Sequence, residues 1–357
     1  MKKQPDKRFW QGKRVLVTGH TGFKGSWLSA WLVKMGATVL GYSLAPDEVY
    51  QPLFQAAALA GRMDSTFGDV LAFSELSKTF ERTRPEIVLH LAAQPLVRLS
   101  YDEPMETFHV NVQGTVHVLE ACRRASSVKS VVVVTTDKCY ENKEWPWPYR
   151  ETDQLGGHDP YSCSKACAEL VVASYRRSFL EKDETFLGSA RAGNVIGGGD
   201  FAKDRLVPDI VRAFQSGEAV EIRSPNATRP WQHVLEPLSG YLLLAEALLA
   251  QRTECASPFN FGPVSEAPVK DVVDLASDVL GGEVHYPKVQ PKAPHEAGRL
   301  HLDSHKASDL LAWNPRLDLR SSVEMTAEFY KAWSQGSDPW ELMLKDIQAF
   351  ENSPTLA

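Results

Sequence analysis

The chain reads as an α/β protein, a doubly wound parallel sheet with helices on both faces and a smaller C-terminal lobe. Three observations predict this. Short, almost wholly apolar β-branched runs alternate with helix-period segments through the first half, the pattern of strands buried on both faces of a parallel sheet. A glycine-rich turn stands between the first such run and the first helical segment. After about Gly193 the texture breaks into a glycine triplet and proline-bearing stretches. At 357 residues, 43% apolar and 24% charged, the chain is long enough for one large domain or two interlocked ones and has the mix of an ordinary globular protein.

The elements follow in order. Arg14-Val15-Leu16-Val17-Thr18 is the first strand, and Ser26 to Met35 the first helix, with Trp27, Leu28, Trp31, Leu32 and Met35 at helical spacing. Thr38-Val39-Leu40 and Ile87-Val88-Leu89-His90-Leu91 are further strands, Glu106 to Cys122 a helix, and Ser130 to Thr135 the next strand. Residues 1–192 form the first domain in this reading, 193–340 mainly the second lobe, and 341–357 a C-terminal tail. Gly197-Gly198-Gly199, Pro225 to Pro237 and Pro287 to Pro294 punctuate the lobe, while Pro258-Phe259-Asn260-Phe261-Gly262 looks like a late strand returning to the first sheet.

Charge and composition exclude several classes of function. The net charge is −6 with no long basic run, which disfavours a nucleic-acid binder. Five cysteines, Cys122, Cys139, Cys163, Cys167 and Cys255, lack zinc-type spacing and suit a reduced, cytoplasmic protein. No run approaches 18 apolar residues, so neither a membrane span nor a signal peptide is expected. His301-Leu302-Asp303-Ser304-His305 has no accompanying ligand cluster, and no metal is expected. Trp145-Pro146-Trp147-Pro148 reads as a packed loop close to the site.

Two constellations carry chemistry. Thr18-Gly19-His20-Thr21-Gly22-Phe23-Lys24-Gly25 joins the first strand to the first helix. Its glycines permit a tight turn and close approach of a pyrophosphate to the helix N-terminus, so dinucleotide binding is expected. Tyr161-Ser162-Cys163-Ser164-Lys165 places a phenol and an ammonium one helical turn apart on one face. Lys165, and a cationic cofactor ring bound beside it, would lower the phenol's pKa and make Tyr161 a candidate general base. Thr135-Thr136-Asp137-Lys138 ends the strand before it, at the carboxyl edge where open α/β sheets place ligands.

The Gly-x-x-Gly-x-x-Gly spacing resembles the extended short-chain dehydrogenase/reductase superfamily, which implies a Rossmann-type fold. The resemblance implies cofactor contacts from Thr18, Gly19, Gly22, Phe23, Lys24 and Gly25, from Asp69 and Val70 at the adenine, from Leu91, Ala92 and Ala93, from Asn111, and from Tyr161 and Lys165. Relatives often carry an acidic residue after the second strand to bind ribose, but here the chain reads Gly41-Tyr42-Ser43-Leu44. With no arginine there either, NAD is expected rather than NADP.

Four longer blocks narrow the likeness: Gly19 to Leu28, Asp137 to Asn142, Arg191 to Asp200 and Arg229 to Val234. They resemble the CDP-glucose 4,6-dehydratase family from about Trp10 to about Trp333. The activity this implies is dehydration of CDP-glucose to CDP-4-keto-6-deoxyglucose, an early step of O-antigen type deoxysugar biosynthesis. Thr136, Tyr161 and Lys165 would serve the hydride step, Asp137 would be the acid at the C6 oxygen and Lys138 the base at C5. Gln94, Asn194, Arg205, Arg229 and Arg299 would bind substrate, with a surface or helix-cap role the alternative for Arg229 and Arg299. Helices around Glu106–Cys122 and Tyr161–Phe179 resemble those forming family dimers, so a homodimer or dimer of dimers is expected. A 4-epimerase or 4-reductase would share Thr136, Tyr161 and Lys165, but the Asp137-Lys138 pair argues against it. A non-catalytic NAD-binding protein is the other alternative.

Overall fold

The computed structural model describes residues 3–180, 182, 184–222, 224–286 and 299–356. Its main sheet has seven parallel strands among these residues: β1 (Arg14–Thr18), β2 (Thr38–Ser43), β3 (Asp64–Phe67), β4 (Ile87–His90), β5 (Ser130–Val134), β6 (Phe186–Ala192) and β7 (Pro258–Phe261). The spatial order is β7-β6-β5-β4-β1-β2-β3. The chain winds outward from β1 through β2 to β3, then crosses back to β4 on the other side of β1. That reversal opens a crevice at the carboxyl ends of β1 and β4.

Alternation along the strands builds two cores. Val15, Val17, Val132 and Val134 pack on one face with α1 (Phe23–Lys34), whereas Leu16, Val131 and Val133 pack on the other with α2 (Phe73–Thr83), α3 (Gly114–Arg124) and α4 (Pro160–Tyr175). In α4, Asp159 caps the helix, its Oδ1 accepting from the Ser162 amide at 2.9 Å, and Pro160 stands at the first position, where its missing N–H costs nothing.

Helix α5 (Leu206–Gln215) and α7 (Val269–Leu280) belong to the second lobe, whose separate core holds Ile210, Val211, Trp231, Val272, Val273 and Tyr330. Between them in sequence, α6 (Leu235–Leu249) is buried along nearly its whole length and lies under the main sheet, where Ser130 Oγ donates to the Ala245 carbonyl at 3.1 Å. The lobe's α8 (Leu319–Ser334) packs on α7. The 341–357 segment expected as a tail is mostly helix, α9 (Pro339–Asn352). Asp338 caps it, and Trp340, Met343, Ile347 and Phe350 form a buried stripe against α1. Trp31 donates to Glu351 Oε1 at 2.9 Å and meets the Phe350 ring edge-on. The Pro287 to Pro294 punctuation and His295 to Gly298 lie outside the described residues.

Candidate active site

One continuous cleft of about 1060 Å³ runs along the carboxyl ends of β1, β4, β5 and β6 and under the second lobe. Its first half is built by the glycine turn. Gly19 has φ +74°, and a Cβ there would sit 2.7 Å from the Ala92 amide nitrogen. The turn therefore lies directly against the Leu91-Ala92-Ala93 segment. A Cβ on Gly25 would come within 2.0 Å of the Gly19 carbonyl oxygen, so only glycine lets α1 start this close to the loop. Gly22 stands at the N-cap with no side-chain cap bond, which leaves the first helical amides without that internal acceptor.

Gly19, Gly22, Phe23, Lys24, Gly25, Asp69, Val70, Leu91, Ala92 and Ala93 all line the cleft. Asp69 also accepts from the Leu71 amide at 2.9 Å, fixing the turn after β3. At the end of β2, where a carboxylate is missing, Ser43 Oγ and Thr21 Oγ1 are 2.8 Å apart, and both residues line the cleft. The lining residues contributed by segments 43–51 and 68–70 include no arginine or lysine.

Three expected contact residues are placed differently. Thr18 is fully buried beneath the loop, with Oγ1 2.7 Å from His90 Nδ1 and accepting from the Ala92 amide at 3.3 Å. Asn111 is also buried: its Oδ1 accepts from the Gln94 amide at 2.9 Å and its Nδ2 donates to Ser164 Oγ at 2.8 Å. The Gln94 side chain donates to the Leu96 carbonyl and to Thr107 Oγ1 and accepts from the Leu96 amide. None of the three lines the cleft. Their polar atoms satisfy neighbouring backbone and side-chain groups.

Thr136, Asp137, Lys138, Tyr161 and Lys165 converge in the cleft's centre. Thr136 Oγ1 lies 3.0 Å from Asp137 Oδ1 and caps the short turn that follows by accepting from the Lys138 amide at 3.3 Å. Asp137 is 1% exposed and its Oδ2 has no partner among the described residues. Burial raises its pKa, outweighing the opposing pull of Lys138, the Thr136 hydrogen bond, Arg229 and Lys24. The shift favours the neutral carboxyl over the carboxylate. Gly193 makes room for it, since a Cβ there would lie 3.1 Å from Asp137 Oδ2 and 2.6 Å from the Pro230 ring.

Burial pushes Tyr161 up to about 12, and the Thr136 hydrogen bond and Arg205 charge only partly oppose it. Lys165 donates to the Val134 carbonyl at 3.2 Å, and burial holds its pKa down to about 8. Desolvation dominates because helix α4 seals this face of the cleft against β5. Lys24, read from the sequence as a cofactor contact, has its pKa held down to about 8 by burial and by the charges of Arg205 and Lys165, with Asp137 and Asp200 opposing. Its ammonium therefore lies within the electrostatic reach of the catalytic cluster.

The second lobe supplies Asn194, Arg205 and Arg229 to the lining. Arg205 pairs with Asp200 at 2.8 Å, and Arg229 Nη1 donates to the Thr228 carbonyl at 2.8 Å. Arg299 stands apart from the lining, its side chain 40% exposed and paired with Glu266 at 2.6 Å. Sequence reasoning missed the buried Glu169–Arg191 pair at 2.8 Å and the Arg98–Asp204 pair at 2.8 Å at the cleft's rim. Glu169 had one available signal: it follows Lys165 by four residues and so shares its helical face with Tyr161.

A family model described as GDP-mannose 4,6 dehydratase matches residues 16–326. The chain is 48% identical to a CDP-glucose 4,6-dehydratase of Salmonella typhimurium, over 98% of this chain and 99% of that one. Among solved structures, an epimerase, Mth375, from Methanothermobacter thermautotrophicus superposes with a TM-score of 0.79 at 26% identity, covering 95% of this chain and 96% of that one. MoeE5 in complex with UDP-glucose and NAD superposes with a TM-score of 0.76 at 26% identity, covering 90% and 100%. A family match through most of the chain, on a fold whose cleft gathers Thr136, Asp137, Tyr161 and Lys165, means that this chain belongs to the GDP-mannose 4,6 dehydratase family.

Proposed function

We propose that the protein dehydrates CDP-glucose to CDP-4-keto-6-deoxyglucose with NAD as a recycled cofactor. The observation that carries the reaction type is the buried Asp137, its pKa raised by burial, beside Thr136 in the cleft that Tyr161 also lines. An epimerase needs only to oxidise and re-reduce C4, whereas elimination across C5 and C6 needs an acid there. The 48% identity to a CDP-glucose 4,6-dehydratase supports the cytidine sugar.

The residues present fit NAD. Gly19 and Gly25 hold the loop in a shape any Cβ would break, and the helix N-terminus offers amides to a pyrophosphate. Asp69 and Val70 would border adenine, with Ser43 and Thr21 as the polar groups nearest the end of β2. Absence of a cation among the lining residues of segments 43–51 and 68–70 favours NAD over NADP, whose extra phosphate would need one. Bound there, NAD would accept hydride from C4, later return it to C6, and place a positive ring where it offsets the burial that holds Tyr161 high.

Tyr161 takes the 4-OH proton while the Thr136 hydroxyl orients that oxygen, giving the 4-ketone. The ketone acidifies the C5 hydrogen, which Lys138 removes. Asp137 delivers its proton to the C6 oxygen as the C6–O bond breaks and water leaves. Lys138 then returns a proton to C5 as C6 is reduced. Arg205 and Arg229 hold the diphosphate by charge-assisted bonds and Asn194 borders the sugar.

A homodimer is the assembly we favour. Met105 is 86% exposed and Leu170 60%, and with Leu99 and Phe179 they leave apolar side chains in water on α4 and the segments around it. Among the described residues no helix is long and apolar enough to cross a membrane, and five unpaired cysteines support a cytoplasmic location. The test is a panel of CDP-, dTDP-, UDP- and GDP-glucose incubated with NAD and no reductant. Loss of one water from CDP-glucose, with an alkali-sensitive 4-keto chromophore, is expected. Unchanged mass with an inverted C4 would overturn dehydration in favour of epimerisation.

A further inference from the structure

Behind the catalytic cluster lies a fully enclosed polar network that the reaction as written does not use. Glu169 and Arg191 are each 3% exposed and paired at 2.8 Å. Glu169 sits on α4, one turn beyond Lys165 and two beyond Tyr161, and all three are buried on one face. Its Oε1 accepts from Thr135 Oγ1 at 2.5 Å, and its Oε2 from Ser189 Oγ at 2.8 Å. Arg191, on β6, also donates to Tyr140 Oη at 2.8 Å, and Tyr140 donates to Asn260 Oδ1 on β7 at 2.8 Å. One carboxylate thus ties α4 to β5 and β6, and through Arg191 to β7. The strand ends it ties carry Thr136 at one step and Gly193-Asn194 at another.

Taking two charges out of water is costly, and apolar packing in the same volume commonly gives at least as much stability. A buried pair at this point therefore suggests a use besides holding the fold. Burial pushes the Glu169 carboxyl up, but the Arg191 charge and three hydrogen bonds outweigh it and hold the carboxyl below its usual range. Glu169 is accordingly an anion, one turn from an ammonium that burial is discharging. Its charge raises the pKa of Lys165. The other groups facing Lys165 are Cys139 after β5, which acts in the same direction, and Lys24 on α1 and His90 on β4, both of which its charge pushes down. His90 is held neutral by burial, to about 3. Cys139 is buried and its thiol pushed well up, so it stays protonated at working pH. Glu169 is the anion left to oppose discharge.

We infer that Glu169 is a positioning residue of this site, whose buried carboxylate, fixed by Arg191, stands one helical turn from Lys165 as its counter-charge and holds the Thr135–Thr136 strand end against α4. This rests on the proposed NAD-dependent reading for its ligand but assigns a role to a residue that does not touch ligand. With Glu169 neutralised, Lys165 loses its proton at lower pH, and whatever depends on that cation fails earlier as pH rises.

The test measures NAD affinity by calorimetry and kcat/KM on CDP-glucose across pH 6–10 in the parent, Glu169→Gln, Glu169→Gln with Arg191→Gln, and Ser189→Ala. Glutamine keeps the shape of Glu169 and most of its hydrogen bonds, and the double variant removes the stranded Arg191 charge should the single one fold poorly. Circular dichroism checks each fold. The alkaline loss of NAD affinity and of kcat/KM should move down by about one pH unit in the folded Glu169 variants. In Ser189→Ala, which loses a bond but keeps the charge, it should stay with the parent. A folded double variant whose alkaline limbs coincide with the parent's overturns the proposal, as does an equal shift in Ser189→Ala. A parent that binds NAD but leaves CDP-glucose unchanged sinks the functional reading alone, because the NAD titration still decides the role of Glu169.

Discussion

Asp137 and Lys138 are neighbours in the chain that meet different surroundings. Asp137 is enclosed against Gly193, whereas Lys138 is half-buried at the cleft wall. Replacing them together, Asp137→Asn with Lys138→Met, should separate elimination from oxidation. The expected signature is NADH absorbance that accumulates on mixing with CDP-glucose and does not decay, with no 6-deoxy product by mass. Product release near the parent rate would make both residues bystanders. Tyr161→Phe removes only the phenolic oxygen and should abolish even that first absorbance, a loss of about 100-fold or more in rate. A single-turnover experiment with an undiminished NADH burst would show that another group takes the 4-OH proton.

At the scale of elements, function depends on how closely α1 starts against its loop. Gly25→Ala would put a methyl group 2.0 Å from the Gly19 carbonyl oxygen, and the loop must retreat from Ala92 or from the helix. Overpacking of this kind costs about 1–3 kcal/mol. Because the loop is the displaced part, the cost should appear in NAD binding, as about 10- to 100-fold weaker affinity by calorimetry. Unaltered affinity would mean that the amides of α1 do not hold the pyrophosphate. Helix α4 has a comparable dependence: Asp159 and Pro160 start it, and the start sets the rotation that aims Tyr161, Lys165 and Glu169 at β5.

The pH response belongs to the whole molecule, because it depends on how α9 is buried. Burial raises Asp346 to about 7, with Glu328 of α8 adding to the effect and Lys345 opposing it, and its Oδ2 has no partner among the described residues. The folded pKa lies above the unfolded one, so the folded state binds the proton more tightly. The stability this contributes is complete below about pH 4 and is lost as pH rises through about 7. Asp346→Asn should leave stability at pH 4 nearly unchanged and increase it at pH 8 by on the order of 4 kcal/mol. Thermal melts at the two pH values check this; equal effects at both would mean that Asp346 is not titrating in the fold.

Several features were legible in the chain alone because local sequence decides them. The run Arg14–Thr18 is a strand with the bounds its β-branched composition indicates, and the glycine spacing after it marks a turn that nothing else could make. Tyr161 and Lys165 share a face because α-helical geometry puts residues four apart together. What required tertiary structure was everything set by distant neighbours. Thr18, Asn111 and Gln94 have plausible types for ligand contacts, yet buried backbone groups from other segments claim their side chains. Residues 341–357 carry an apolar stripe that becomes a helix against α1 only when Trp31 is there to cover it. Burial pushes the Tyr161 phenol up because desolvation depends on how tightly α4 and β5 close over it. Spacing in the sequence determines which groups share a face, whereas burial, which sets their charge states, is decided by other segments that the fold packs over them.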